Sequence, residues 1–215
     1  MKYKAIIFDL DGTLLNTLAD IGKSVNQVLS QHGLPENSID DYMLFVGDGT
    51  KNLIRRATLA KVDEKTLELM VKEFIEIYAQ NCNQTTQKYA GIDSLLNFCD
   101  SKKVPYAVLS NKPHEITKKM VDFYFPHQSF VSVFGQQSGV PIKPNPIIAK
   151  KIISLFKCEP QMVAFLGDSG VDMETAITAG AIPIGVLWGY RERDELLEHG
   201  ANILIEHPMD MKILL

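Results

Sequence analysis

The sequence predicts an α/β protein with a doubly wound, Rossmann-like parallel sheet and an inserted all-helical domain. Three observations support this prediction. A short apolar run of strand length begins at residue 5, the stretch 16–86 shows helical patterns only, and strands alternate with helices from residue 87 onward. Such alternation is typical of a parallel sheet covered by helices on both faces. We therefore predict a core domain from residues 1–15 and 87–215, and a helical cap domain from residues 16–86.

The composition narrows the class of protein. With 215 residues and 46% hydrophobic residues, the chain can bury the core of one large domain with a smaller insert. The net charge of −4, without a basic stripe, argues against nucleic acid as a partner. Three cysteines without paired spacing favour a reducing compartment. The apolar N-terminal run is too short for a signal peptide or a membrane span. We expect a cytoplasmic monomer or homodimer without a membrane partner.

The first predicted strand ends in two carboxylates, Asp9 and Asp11. Strand residues two apart point the same way, so both side chains are expected on one side of the chain. Buried carboxylates are costly alone, and such a pair requires a cation, a shared proton or reaction chemistry. A simpler interpretation is that Asp11 and Gly12 form a two-residue hairpin turn between two apolar strands.

Four helices are predicted in the inserted segment. The first begins at Thr17, which with Asp20 resembles a capping box, and ends at Gly33. The other three are predicted over residues 38–46, around residues 53–57 and over residues 64–80.

The remaining elements follow from short apolar segments bounded by Gly, Pro, Asp or Asn. Strands are predicted at residues 106–109, 130–134, 162–166, 182–187 and 202–205. Helices are predicted at residues 92–100, from Pro113 onward, and at residues 147–156, 172–179 and 192–199.

Polar side chains follow the ends of four predicted strands. Besides Asp9 and Asp11, they are Ser110 and Asn111 after the second strand, Lys143 in the loop after the third, and Asp168 and Asp172 after the fourth. Ligands of an open parallel sheet bind outside the carboxyl ends of its strands. Carboxylates that hold Mg²⁺, with a lysine and a hydroxyl for phosphate oxygens, are the groups that phosphoryl transfer needs.

Each of these residues also has a structural interpretation. Ser110 and Asn111 could cap the next helix, and Lys143 could be a solvated loop lysine. Asp168 could cap the following helix, and Asp172 could lie in its first turn, where the helix dipole favours an acidic group. These separate interpretations do not explain why the residues all follow strand ends.

The four segments resemble the motifs of the haloacid dehalogenase superfamily. The motifs are Asp9-Leu10-Asp11-Gly12-Thr13, Ser110, Lys143-Pro144, and Gly167-Asp168-Ser169-Gly170-Val171-Asp172. The resemblance covers nearly the whole chain, and a helical insert directly after the first motif is similar to the family's first cap type.

The resemblance implies a role for each motif residue. Asp9 is the expected nucleophile, and Asp11 the expected general acid and base. Ser110, the backbone amide of Asn111 and Lys143 are expected to hold phosphoryl oxygens. Asp172 is expected to orient Lys143 or a metal-bound water. Mg²⁺ is the expected cofactor, with Asp9, the main-chain carbonyl of Asp11 and Asp168 as its ligands.

Within the superfamily, the chain resembles phosphoglycolate phosphatases. The segments that carry this resemblance are 46–49 with Leu53, Arg56 and Ala57, 110–113, and 188–191. The implied substrate is 2-phosphoglycolate or a similar small phosphate ester. Gly47 and Gly49 permit close backbone approach, and three cap cations are candidates for binding a substrate carboxylate: Lys51, Arg55 and Arg56. Their simpler interpretation is a solvated helix face.

Other functions stay open at this point. A haloacid dehalogenase would lack the second aspartate, Asp11. Sugar-phosphate mutases of the β-phosphoglucomutase type share the motifs but tend to carry a His in the first cap helix, where this chain has Ile21 and Gly22. A pyrophosphatase would have nearly the same motifs. A non-catalytic phosphate-binding module would be expected to lack catalytic carboxylates, all of which are present.

Overall fold

A six-stranded parallel sheet forms the centre of the protein. The computed structural model describes residues 3–215, so the first two residues of the predicted core domain lie outside the description. The strand order is β5-β4-β1-β6-β7-β8, which confirms the predicted doubly wound α/β class. The strands are β1 (Ala5–Phe8), β4 (Tyr106–Pro113), β5 (Ser132–Gln136), β6 (Val163–Gly167), β7 (Ile182–Val186) and β8 (Ile203–Ile205).

Residues 3–215 contain nine α-helices. The inserted segment contains α1 (Leu18–Gln31), α2 (Asp41–Phe45), α3 (Thr50–Ala57) and α4 (Glu64–Asn81). The rest of the chain contributes α5 (Ile92–Lys102), α6 (His114–Tyr124), α7 (Ile147–Phe156), α8 (Gly170–Ala179) and α9 (Arg193–Glu198). Short 3₁₀ helices occur at Pro160–Met162 and Pro208–Ile213.

The central strand β1 is buried on both faces. Ile6 and Phe8 pack into one hydrophobic cluster, and Ala5 and Ile7 pack into the cluster on the other side. Successive strand residues point to opposite faces, and a parallel sheet covered by helices buries both. This explains why the strand is an uninterrupted apolar run and why the polar residues appear only at its end.

The chain passes between the sheet and the helical segment through a short two-stranded ribbon. Its strands, β2 (Leu15–Asn16) and β3 (Gln87–Lys88), are antiparallel. The sequence predicts no strands here, because two-residue strands carry no periodic pattern. The ribbon lies at the boundaries proposed for the cap domain.

Three local predictions were wrong. The strand predicted at residues 106–109 extends to Pro113, so Ser110 and Asn111 lie within β4 and not after it. The strand predicted at residues 130–134 is shifted two residues toward the C-terminus. Thr17 and Asp20 do not form a capping box: the Thr17 hydroxyl donates to Asp11, and the Asp20 carboxylate binds Thr85 and Thr86 instead. Thr17 therefore bonds a residue that precedes the helix, and Asp20 bonds residues 65 and 66 positions away, instead of each other.

Asp20 ties α1 to the segment just before β3. Its carboxylate is 2% exposed and accepts bonds from the Thr85 and Thr86 amides and from both hydroxyls, at 2.5 to 3.0 Å. Burial opposes the charged form, but these donors lower the pKa of Asp20 overall.

We expect Asp20→Ala to lower the free energy of unfolding by about 2–3 kcal/mol, because it leaves buried donors without their charged acceptor. Since the folded pKa lies below the unfolded value, this contribution is present above pH 4 and is lost as the pH falls through the folded pKa. Urea denaturation at pH 7 and below pH 4 measures it. The exposed helical Asp122→Ala is the control. An equal, pH-independent effect of both substitutions would contradict this role.

Two further observations concern the class of protein. In the part of the chain that the structure describes, no helix is long and apolar enough to cross a membrane. Cys82 and Cys99 are buried, Cys158 is half-buried, and all three are free thiols.

Candidate active site

The topology brings three of the predicted segments to adjacent strands. Strand β1 lies between β4 and β6. Asp9 and Asp168 directly follow β1 and β6, and Ser110 lies in the C-terminal half of β4, so all three reach the same edge of the sheet. After β1 the chain adds β4 and β5 on one side of this strand and then β6, β7 and β8 on the other. Such a topological switch point forms a crevice in which ligands bind. All three side chains are buried. The hairpin interpretation of Asp11 and Gly12 does not hold, because β1 pairs only in parallel.

Lys143 joins two of the carboxylates. Its Nζ lies 2.7 Å from Asp9 Oδ1 and 2.6 Å from Asp172 Oδ1, and the residue is only 4% exposed. A solvated loop lysine is therefore excluded. Although burial opposes its charge, Asp172 and Asp9 together raise the pKa of Lys143. The lysine stays protonated between them.

Asp172 serves the helix and the site at once. Its Oδ2 accepts bonds from the Ser169 amide (3.2 Å) and hydroxyl (2.6 Å), which completes a capping box at the start of α8. Its Oδ1 binds Lys143. The capping interpretation and the interpretation as a lysine-orienting residue are therefore both compatible with the structure.

Three buried carboxylates form the group best suited to a metal ion. Asp9, Asp168 and Asp172 each offer an oxygen, and these oxygens lie within 4.8 Å of one another. Burial raises the pKa of Asp9 to about 7, and burial with the charges of Asp172 and Asp9 raises that of Asp168 well above its usual range. A hard, oxygen-binding dication such as Mg²⁺ would relieve this crowding of acidic groups, so the residues fit the expected cofactor.

Two glycines leave room for Asp168. A Cβ atom at Gly12 would lie 2.1 Å from Asp168 Oδ2, and one at Gly189 would lie 2.2 Å from the Asp168 Cβ. The next residue, Tyr190, donates its amide to Asp168 Oδ2 at 2.8 Å. The segment 188–190 therefore fixes the orientation of this carboxylate.

The Asp11 carboxylate is not part of the cluster that Asp9, Asp168 and Asp172 form. Lys112 Nζ lies 2.8 Å from Asp11 Oδ1, and the Thr17 hydroxyl donates to the same oxygen at 2.6 Å. Asp11 lines the cavity described below, which is where a general acid is needed. Only its main-chain carbonyl was predicted as a metal ligand.

Lys112 is a site residue that the sequence analysis missed. Its side chain is 3% exposed, pairs with Asp11 and donates to the Tyr78 hydroxyl at 2.6 Å. Tyr78 belongs to α4 of the inserted segment, so this lysine links the helical segment to the catalytic candidate. The only available signal was its position beside Ser110 and Asn111 at a strand end.

Asn111 connects three parts of the site through its side chain. Its Nδ2 donates to the carbonyls of Gly47 and Lys143, both at 3.0 Å, and its Oδ1 accepts from the Lys143 amide at 2.8 Å. Gly47 and Gly49 have φ values of 132° and 94°, which favour glycine. The loop that contains Gly47 and Gly49 is thus tied to the sheet through Asn111.

The structure does not bring the three cap cations to the cavity. Lys51 pairs with Glu64, Arg55 with Glu64 at 3.2 Å, and Arg56 with Asp48 at 2.5 Å. Their side chains are 41–44% exposed. Helical periodicity turns these cations toward acidic neighbours, which is the solvated-face arrangement.

A small cavity lies between the helical segment and the sheet. Its volume is about 50 Å³. Asp9, Asp11, Ser110 and Asp168 contribute its floor from the sheet side, and its remaining lining includes Ile21, Val46, Gly47, Gly49, Thr50, Leu53, Phe74, Tyr78, Lys112 and Arg191. The helical segment therefore covers the candidate site.

Comparisons with known proteins identify the family of this chain. The family model for haloacid dehalogenase-like hydrolases matches residues 6–186. A phosphoglycolate phosphatase from Pasteurella multocida is 31% identical over 196 residues, which is 88% of each chain. One from Mannheimia succiniciproducens is 30% identical and covers 98% of this chain and 97% of its own.

A solved structure has the same fold. A protein from Lactobacillus delbrueckii subsp. bulgaricus, whose phosphoglycolate phosphatase name is provisional, superposes with a TM-score of 0.92. It is 29% identical and covers 100% of this chain and 99% of its own. We conclude that this chain belongs to the haloacid dehalogenase-like hydrolase family, as an enzyme similar to its phosphoglycolate phosphatases.

Proposed function

We propose that this enzyme is a Mg²⁺-dependent phosphatase that hydrolyses a small phosphate monoester through an aspartyl-phosphate on Asp9. The observation that carries the proposal is the buried arrangement in which Lys143 bridges Asp9 and Asp172 beside Asp168. A nucleophilic carboxylate, a phosphate-binding cation and further acidic ligands are thereby held at one sheet edge.

The reaction proceeds in two displacements. An Asp9 oxygen attacks phosphorus, the bond from phosphorus to the ester oxygen breaks, and Asp11 gives its proton to the leaving alkoxide. Water then attacks the phosphorus of the intermediate, Asp11 takes its proton, and the bond to Asp9 breaks. Inorganic phosphate and the free carboxylate result.

The other residues of the site bind the phosphoryl group and exclude bulk water. Lys143 and Ser110 hold phosphoryl oxygens, while Asp172 and Asn111 fix the ammonium group and the main chain of Lys143. Mg²⁺, held by Asp9, the Asp11 carbonyl and Asp168, would neutralise charge on the phosphoryl group. The covering helices limit access of bulk water.

The cavity supports a small substrate. A volume of about 50 Å³ holds only a few water molecules at about 10–15 Å³ each. Ile21, in α1, lines the cavity with an apolar side chain that cannot transfer a proton to a sugar hydroxyl, which supports a phosphatase over a mutase. With the similar phosphoglycolate phosphatases, these features favour 2-phosphoglycolate.

A substrate panel tests the proposal. We expect phosphate release from 2-phosphoglycolate with Mg²⁺ and none after chelation, with lower kcat/KM for glucose 1-phosphate and for pyrophosphate. Faster hydrolysis of pyrophosphate would identify a pyrophosphatase. Phosphate binding without hydrolysis of any ester would indicate a non-catalytic module.

Magnesium should also stabilise the fold. At 100 times its dissociation constant, Mg²⁺ is expected to add about 2.7 kcal/mol, which raises Tm by about 5–10 °C. Asp168→Asn should abolish this increase without lowering the metal-free Tm appreciably, since it removes a buried acidic group beside two others. Calorimetry with the exposed Asp194→Asn as control measures both effects. A full Mg²⁺ response in Asp168→Asn would place the ion elsewhere.

A further inference from the structure

Arg191 is a cavity-lining residue that carries a buried donor without a hydrogen-bond partner. Its Nη2 donates to the Val46 carbonyl at 2.8 Å and approaches the Leu44 carbonyl at 3.4 Å, and its Nε lies 3.2 Å from Glu195 Oε2. Its Nη1 is fully buried and has no partner among the described residues. Buried donors are nearly always satisfied, so this one requires an explanation.

The position of Arg191 points to the substrate. It lines the cavity, its side chain is 12% exposed, and it directly follows Tyr190, whose amide holds Asp168. Its charge is close enough to counteract the raised pKa of Asp168. A short ester whose phosphorus lies at Asp9 would therefore extend toward this guanidinium.

The other cations at the site are already paired with carboxylates. Lys143 is held by Asp9 and Asp172, and Lys112 by Asp11. The three cap cations lie outside the cavity lining. Of the cations described at this site, Arg191 is the one with an NH₂ group, Nη1, that has no hydrogen-bond partner.

We propose that Arg191 binds the carboxylate of an acidic phosphate ester through Nη1, while Nη2 holds the covering helical segment at Val46. This inference rests on the proposed phosphatase function and names the residue that selects its substrate class. Arginine donates to carboxylates in a fixed planar geometry, so one guanidinium can contact both the covering segment and the substrate. Closure and recognition of the acidic end are thereby coupled.

Kinetics with two matched esters test this assignment. The substrates are 2-phosphoglycolate and 2-phosphoglycolamide, which has the same length and phosphate group but a neutral amide in place of the carboxylate. Arg191→Gln is expected to lower kcat/KM for the acid about 10- to 100-fold, mainly through KM, and for the amide less than about threefold. Arg191→Lys, which keeps the charge, should retain part of the preference. The exposed neighbour Arg193→Gln should leave both values unchanged.

The outcomes separate the inference from the function on which it rests. If Arg191→Gln lowers kcat/KM equally for both esters, Arg191 only holds the covering segment in place and the inference is overturned. A wild-type enzyme that hydrolyses the amide as well as the acid would also overturn it, although phosphatase activity would stand. Failure of the wild type to hydrolyse either ester, or any other in the panel, would instead reject the proposed function.

Discussion

Replacing Asp9 by Asn is expected to reduce phosphatase turnover to background, by about 10⁵-fold or more. The substitution keeps the shape of the side chain but removes the nucleophile, without which uncatalysed phosphate-ester hydrolysis is extremely slow. The fold should persist, because Asn fills the same space as Asp and Lys143 keeps Asp172 as its charged partner at 2.6 Å. Phosphate release and Tm are both measured.

Two controls make the result specific. Asp122→Asn changes an exposed aspartate on α6 and should retain full activity. A phosphorylated wild-type enzyme, trapped by rapid acid quench, should be detectable by mass spectrometry at Asp9 and absent from Asp9→Asn. Substantial turnover by the purified variant would remove Asp9 from the nucleophile position.

Replacing Lys143 by Met is expected to affect both stability and activity strongly. The change leaves Asp9 and Asp172 buried without their shared cation, and breaking a buried pair in this way costs about 3–5 kcal/mol. Loss of a donor to the phosphoryl group should lower kcat by about 10²- to 10³-fold. Calorimetry and steady-state kinetics measure the two effects.

A double substitution separates the two roles of Lys143. Asp172→Asn added to Lys143→Met removes one stranded carboxylate and should recover part of the lost Tm, while kcat stays low. Lys150→Met, on the exposed side of α7, is the control. Recovery of activity together with stability would show that Lys143 acts only on the fold.

The motif residues were predictable because their positions depend on the chain locally. Asp9 and Asp168 directly follow apolar strands, Ser110 lies in the C-terminal half of one, and Lys143 lies in the loop after another. In a parallel sheet the ends of adjacent strands meet at one edge. Asp9, Ser110, Lys143 and Asp168 could therefore be grouped before any coordinates were known. The family comparison and the six parallel strands confirm the fold that this grouping required.

The cap residues were not predictable in the same way. Lys51, Arg55 and Arg56 share a cationic character with true anion-binding residues, but which face of a helix meets the sheet depends on packing between distant segments. At the surface these cations form ion pairs with Glu64 and Asp48. Sequence spacing alone does not reveal that orientation.

The sequence by itself determined the α/β class, the strand-end positions of the carboxylates and the chemistry that they can perform, because these depend on strand alternation and side-chain type. Only the tertiary structure decided that Asp11 pairs with Lys112, that Tyr78 reaches this pair from α4, and that Arg191, which lines the cavity, has a buried donor without a partner. These contacts join residues more than thirty positions apart, and packing of the helical segment on the sheet selects them.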